Sequence, residues 1–92
     1  MKTTLDYLNE VIKRGEGIQN DNQLAHHLGI TRQAIHQYKN GQNMSVPVAL
    51  KVAERLCLDP METVSATLYA QARTEPEKDF WMRVHQYTVN QI

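Results

Sequence analysis

Residues 21–40 read DNQLAHHLGITRQAIHQYKN, and this stretch decides the architecture. Leu24, Ala25 and Leu28 recur at the three- and four-residue steps of one helical face. Gly29 ends that pattern, because glycine enters the left-handed cap conformation at little cost. Thr31 caps a second helix, with Ile35 and Tyr38 on its inner face. Two short helices cross tightly through such a connection only when little bulk stands between them. Ala25 is the small residue where the second helix approaches the first, and Gly29, four positions on, permits the turn. Leu24, Leu28, Ile30, Ile35 and Tyr38 then plug the pair onto the rest of the fold. Any one of these seven features is common, but all seven within one stretch of twenty residues make a specific pattern.

Outward from this pair, glycine and proline punctuate the chain. A first helix is expected from about Thr4 to Arg14, with Leu5, Leu8 and Ile12 as its apolar stripe and Val11 widening it. The second runs from Asp21 to Leu28, with Asn20 as N-cap and Gln23 placed to return the bond. The third runs from about Arg32 to Lys39 and stops at Asn40-Gly41. Ser45 or Val46 opens a fourth, with Ala49, Leu50, Ala53, Leu56 and Cys57 at helical spacing. Asp59-Pro60 starts a fifth, whose stripe is Met61, Val64 and Leu68, extended by Ala72. Thr74-Glu75-Pro76-Glu77 reads as the cap of a sixth, which carries Phe80, Trp81, Val84 and Tyr87. Nothing alternates with period two over a useful length, so the expected class is all-α: five helices over residues 1–73 and a C-terminal helix over 74–92 that serves dimerisation or packing of the same domain.

The chain has 92 residues and a formal net charge of +0, from ten Lys+Arg against ten Asp+Glu. One compact domain is the limit at this length, and its core is small enough that dimerisation would help it. Neutrality argues against a coarse electrostatic coat for nucleic acid but not against a specific reader, because phosphates respond to local charge. Between His26 and Leu58 the bases are Arg32, Lys39, Lys51 and Arg55, and the sole acid is Glu54, so the suspected reader is locally basic. The single cysteine, Cys57, excludes an internal disulfide and lies in an apolar helical stretch, where a buried, inert thiol is expected. No run of about 18 apolar residues and no signal-peptide core is present, so a soluble, cytoplasmic protein without membrane partners is expected.

The third helix carries a polar outer face of Arg32, Gln33, His36, Gln37 and Lys39. Arginine pairs with guanine O6 and N7 and glutamine with adenine N6 and N7, so this is residue chemistry with which a helix reads base edges in a major groove. The bland alternative is an ordinary solvated face. His26, His27, His36 and Cys57 do not form a metal set: adjacent histidines point to different sides of a helix, and no CxxC or HxxxH pairing exists. Asp6 and Glu10 stand one turn apart on a polar face, where solvation outweighs acid–base work. No nucleophile, phosphate-cradling glycine loop or buried charged pair is suggested, so no catalysis and no cofactor is expected. Phe80, Trp81, Val84 and Tyr87 need a partner surface, either within the chain or on a second copy; Phe80 and Trp81 point about 100° apart, so the two roles can divide between them.

The stretch from Ile30 to Gly41, ITRQAIHQYKNG, resembles the helix-turn-helix of the Cro and repressor proteins of lambdoid phages. The following PVALKVAERL, residues 47–56, looks like the fourth helix of that family, and the likeness covers residues 5 to 70 or so. The segment from Thr74 lies outside it and is similar, more loosely, to small regulators of filamentous-phage type. The resemblance implies a five-helix DNA-binding fold, base contacts from Arg32, Gln33 and Gln37, and a phosphate contact at the start of the second helix. His36 on the same face is a further base-contact candidate. At the phosphate contact stand Asn20, Asp21, Asn22 and Gln23; Asp21 departs from the pattern, since an acid repels phosphate, which leaves Asn22, Gln23 or the backbone N–H groups. Thr31, Lys39 and the loop residues Gln42, Asn43 and Ser45 are the other backbone-contact candidates, and the basic residues common in that loop are missing here.

The resulting expectation is a dimeric, sequence-specific repressor of phage or prophage kind. It would occupy a pseudo-palindromic operator on double-stranded DNA, with an antirepressor as a further partner. Two other readings stand beside it: an antitoxin-type autoregulator whose acidic tail holds a toxin, and a protein-interaction module that keeps the fold without binding DNA.

Overall fold

The computed structural model describes residues 1–90. It holds six helices: α1 (Thr4–Arg14), α2 (Asp21–Leu28), α3 (Arg32–Lys39), α4 (Val46–Leu56), α5 (Pro60–Gln71) and α6 (Glu75–Val89). No strand occurs among the described residues, so the class is all-α.

Local chemistry sets the helix ends. The hydroxyls of Thr3, Thr31, Ser45 and Thr74 and the side-chain oxygens of Asn20 and Asp59 each accept a backbone N–H from the first turn that follows. Asp6 returns the bond to the Thr3 N–H at 2.9 Å, completing a capping box, and that backbone donor holds its carboxyl below the ordinary carboxylate value. Gln23 does not return a bond to Asn20 as expected. Its Oε1 accepts the Gln19 N–H at 2.6 Å instead, one residue further back, so it braces the approach to α2.

Three helices end in the same way. After α2 the Ile30 N–H reaches the Ala25 carbonyl at 3.0 Å and the Gly29 N–H the His26 carbonyl at 3.1 Å, with Gly29 at φ 68. After α3 the Gln42 and Gly41 N–H groups do likewise to Gln37 and Tyr38, with Gly41 at φ 98. After α4 the Leu58 and Cys57 N–H groups bond Ala53 and Glu54, and the residue in the left-handed position, at φ 56, is Cys57. A cysteine that ends a helix in this way points outward, so Cys57 is exposed, not buried as its apolar neighbourhood implied.

The core is built from Tyr7, Leu8 and Val11 of α1, Leu24, Ala25 and Leu28 of α2, Ile35 and Tyr38 of α3, Ala49, Val52 and Leu56 of α4, and Val64 and Ala66 of α5, with Met44 added from the connection before α4. The inner face of α1 is Thr4, Tyr7, Leu8 and Val11; Leu5 and Ile12, expected inside, stand at the surface. The cause is the ring of Tyr7, 1% exposed, which buries more surface than either aliphatic chain and turns the helix toward itself. Its hydroxyl meets the Glu62 carboxylate at 3.5 Å, and burial, reinforced by that carboxylate, pushes its pKa well above the ordinary tyrosine value.

Leu50 and Met61 also stand outward, contrary to the stripes read for α4 and α5. In α4 the inner residues are Ala49, Val52, Ala53 and Leu56. In α5 five consecutive residues, Thr63 to Thr67, are buried, because α4 packs on one side of it and α6 on the other. A helix enclosed on two sides has no single stripe to find. Two of its small polar residues are admitted because backbone carbonyls take their protons: Thr63 donates to Ala49 O at 2.8 Å and Ser65 to Glu62 O at 3.1 Å, whereas the buried Thr67 hydroxyl has no partner among the described residues.

Candidate nucleic-acid interface

α3 packs on α2 and α1, with Ile35 and Tyr38 buried. Arg32, Gln33, His36 and Gln37 are all exposed, at spacings of one and four along the helix, and so form a row on its outer side. Among the described residues no hydrogen bond or salt bridge to another protein group engages these four side chains. Arg32 and the two glutamine amides therefore present a full set of donors and acceptors to solvent.

The turn that aims the row is held from outside. Lys51 of α4 donates its ammonium to the Gly29 carbonyl at 2.9 Å, and a Cβ built on Gly29 would meet that ammonium at 3.8 Å. Thr31 then caps α3, its hydroxyl accepting the Ala34 N–H at 3.1 Å. That hydroxyl keeps its own proton for donation outward. Lys51 was counted in the sequence only as a cation; its part as a brace depends on a carbonyl 22 residues away along the chain.

The connection after α3 is pinned from beneath. The Met44 N–H donates to the Thr4 hydroxyl at 3.1 Å, the Met44 carbonyl accepts from the Gln71 amide at 3.2 Å, and the Met44 side chain is buried. Gln42, Asn43 and Ser45 are left exposed around that anchor, with the Ser45 hydroxyl capping α4. Leu5 and Tyr38 border the shallow groove beside Gln42 and Asn43. Burial raises the Tyr38 pKa, so its hydroxyl keeps its proton at any ordinary pH.

At the opposite edge, Asn22 and Gln23 are exposed at the start of α2. Asp21 is not idle there. Its Oδ1 lies 2.6 Å from the Lys39 ammonium at the far end of α3. The locally basic stretch is thus less basic in space than along the chain, because an acid outside the window counted folds back onto one of its lysines.

His26 is exposed and His27 half-buried. Among the described residues no group of three or more His, Cys, Asp or Glu side chains is placed to hold a metal ion. No helix among them is long and apolar enough to cross a membrane.

α6 packs on α5 and has no buried residue among its fifteen. Trp81 and Val84 are half-buried. Phe80 is 57% exposed and Tyr87 70% exposed. Phe80 rests edge-on against Trp81, ring centres 4.9 Å apart and planes at 84°. His85 ties the helix down, its Nδ1 lying 3.1 Å from the Glu62 carbonyl and 3.1 Å from the Ser65 hydroxyl.

Comparison with protein-family models, with curated proteins and with solved structures finds no match for this chain.

Proposed function

We propose that this chain is a sequence-specific DNA-binding transcription regulator of the helix-turn-helix kind, a homodimer that represses by occupying its operator. One observation carries the reading: Ile35 and Tyr38 anchor α3 while Arg32, Gln33, His36 and Gln37 stand in an unengaged row on its outer side. Such a row delivers bidentate donors and acceptors to base edges, and α3, about 12 Å long, fits a major groove of similar width. Backbone contacts come from the rim of the same surface: Asn22 and Gln23 on one side, Thr31 and Lys39 on α3 itself, Gln42, Asn43 and Ser45 on the other. The expected class is the Cro and repressor proteins of phages and prophages, on the strength of the motif in residues 30–41.

A second copy meets the first through α6. The outward face of that helix, Pro76, Asp79, Phe80, Arg83, Gln86 and Tyr87, holds one acid and one base, so two copies approach without net repulsion. Antiparallel pairing also opposes the two helix dipoles. Two α3 helices then address major grooves about 34 Å apart on a pseudo-palindrome.

Selection of bound duplexes from random DNA tests the reading directly. Enrichment of a two-fold symmetric site, with retention that falls as salt rises, supports it. No retention at low salt overturns it in favour of a protein-interaction module, the reading that the missing cations of the loop after α3 and the pairing of Lys39 with Asp21 otherwise favour.

A further inference from the structure

We propose that Asp21 sets the affinity of this surface for nucleic acid: its carboxylate occupies Lys39 in an internal ion pair that the phosphate backbone must displace. The inference rests on the regulator reading and names a control built into the same site.

The pair is specific in geometry. Lys39 Nζ lies 2.6 Å from Asp21 Oδ1, and the two side chains retain 49% and 34% of their exposure. Both groups are wet, so the pair is cheap to open and exchanges readily. It nevertheless removes a scarce cation. Of the bases between His26 and Leu58, Lys51 is committed to the Gly29 carbonyl. Arg32 and Lys39 remain on α3 itself, and Lys39 is the one already neutralised.

Asp21 acts a second time after the exchange. When Lys39 turns to a phosphate, the freed carboxylate stays on the same surface, beside the lysine that holds the incoming backbone, and repels it. Both effects weaken binding to any duplex and leave base discrimination to the row on α3. A small reader thereby keeps its nonspecific affinity low without giving up its contacts. Asp21 also lies in the first turn of α2, where a carboxylate is favoured by the helix dipole, so the acid sits there without a folding penalty.

The test measures binding of the full chain to a pool of roughly 30-base-pair random duplexes over a series of salt concentrations. Wild type, D21N, K39Q and the double variant are compared, with thermal melts to confirm that each is folded. D21N is expected to bind about two- to fivefold more tightly at low salt. Its plot of log affinity against log salt is expected to steepen by up to about 0.9, the signature of one more phosphate neutralised. In the K39Q background the same change is expected to give a smaller gain, because the part that runs through Lys39 is gone and only the relief of direct repulsion is left. Equal affinity and slope for wild type and D21N, or weaker binding by D21N, overturns the inference while leaving the regulator reading in place. Failure of all four folded proteins to retain any duplex at low salt overturns both.

Discussion

Gln33 and Gln37 are exposed and their side chains make no hydrogen bond to protein among the described residues, and that decides how their substitution should behave. Gln33→Ala removes a bidentate amide from the proposed reading row without touching the core. Its expected cost is about 1–3 kcal/mol on the selected operator, with relaxed preference at one base pair and an unchanged thermal midpoint. A fall in the midpoint would mean that the amide supports the fold, and the face assignment would fail. Tyr7 is the opposite case, a titratable group inside the core. Its folded-state pKa is raised, so its contribution is fully present below the ordinary tyrosine value of 10.0 and is lost as pH rises toward the folded value. Tyr38 is raised in the same direction. Denaturant unfolding measured between neutral pH and pH 11 or so should therefore show stability falling steeply above about 10, and more shallowly in Tyr7→Phe, which keeps Tyr38 as the remaining tyrosine with a raised value. Equal slopes in the two proteins would remove Tyr7 from the account.

Helix ends were legible in the sequence because caps are local. A Thr, Ser, Asn or Asp and the N–H two or three residues on are enough to make one, and all six helices start just after such a residue, Thr3 of α1 being the one that the sequence reading does not name. The C-terminal ends were legible where glycine marks them, at Gly29 and Gly41, and misleading at Cys57, which adopts the same left-handed backbone without being glycine. This difference carries a prediction. Cys57→Gly relieves the Cβ conflict at φ 56 and should raise stability by about 0.5–1 kcal/mol, seen as a thermal midpoint several degrees higher. Gly29→Ala imposes that conflict at φ 68 and should lower it by about 1 kcal/mol, although the added methyl meets nothing closer than the Lys51 ammonium. A midpoint for Cys57→Gly at or below that of the wild type would show that the thiol contributes something its exposed position does not reveal.

Assembly is where α6 enters. A helix with no buried residue and two prominent exposed aromatic rings gains most from a partner, and a chain this small gains most from a second copy. Substituting Ser at both Phe80 and Tyr87 should leave helicity and the thermal midpoint nearly unchanged, since both rings face outward in the single chain. Sedimentation equilibrium should show the proposed dimer weakened by at least about tenfold, as expected for loss of two aromatic anchors. A wild-type chain that stays monomeric at high concentration would remove the seam, and with it the expectation of a palindromic site.

Read alone, the order of residues determined the class of fold, the six helices with their starts, and the small-residue turn that sets α2 against α3, because periodicity and capping act over a few neighbours. The exposed row on α3 was legible for the same reason: once Ile35 and Tyr38 face inward, Arg32, Gln33, His36 and Gln37 have nowhere to point but out. Which face of α1 turns inward, how α5 is enclosed, that Lys51 braces the turn and that Asp21 reaches Lys39 were decided only by tertiary packing. Each joins residues distant along the chain, where burial of a ring or the meeting of two charges outweighs any preference that a short window of sequence can express.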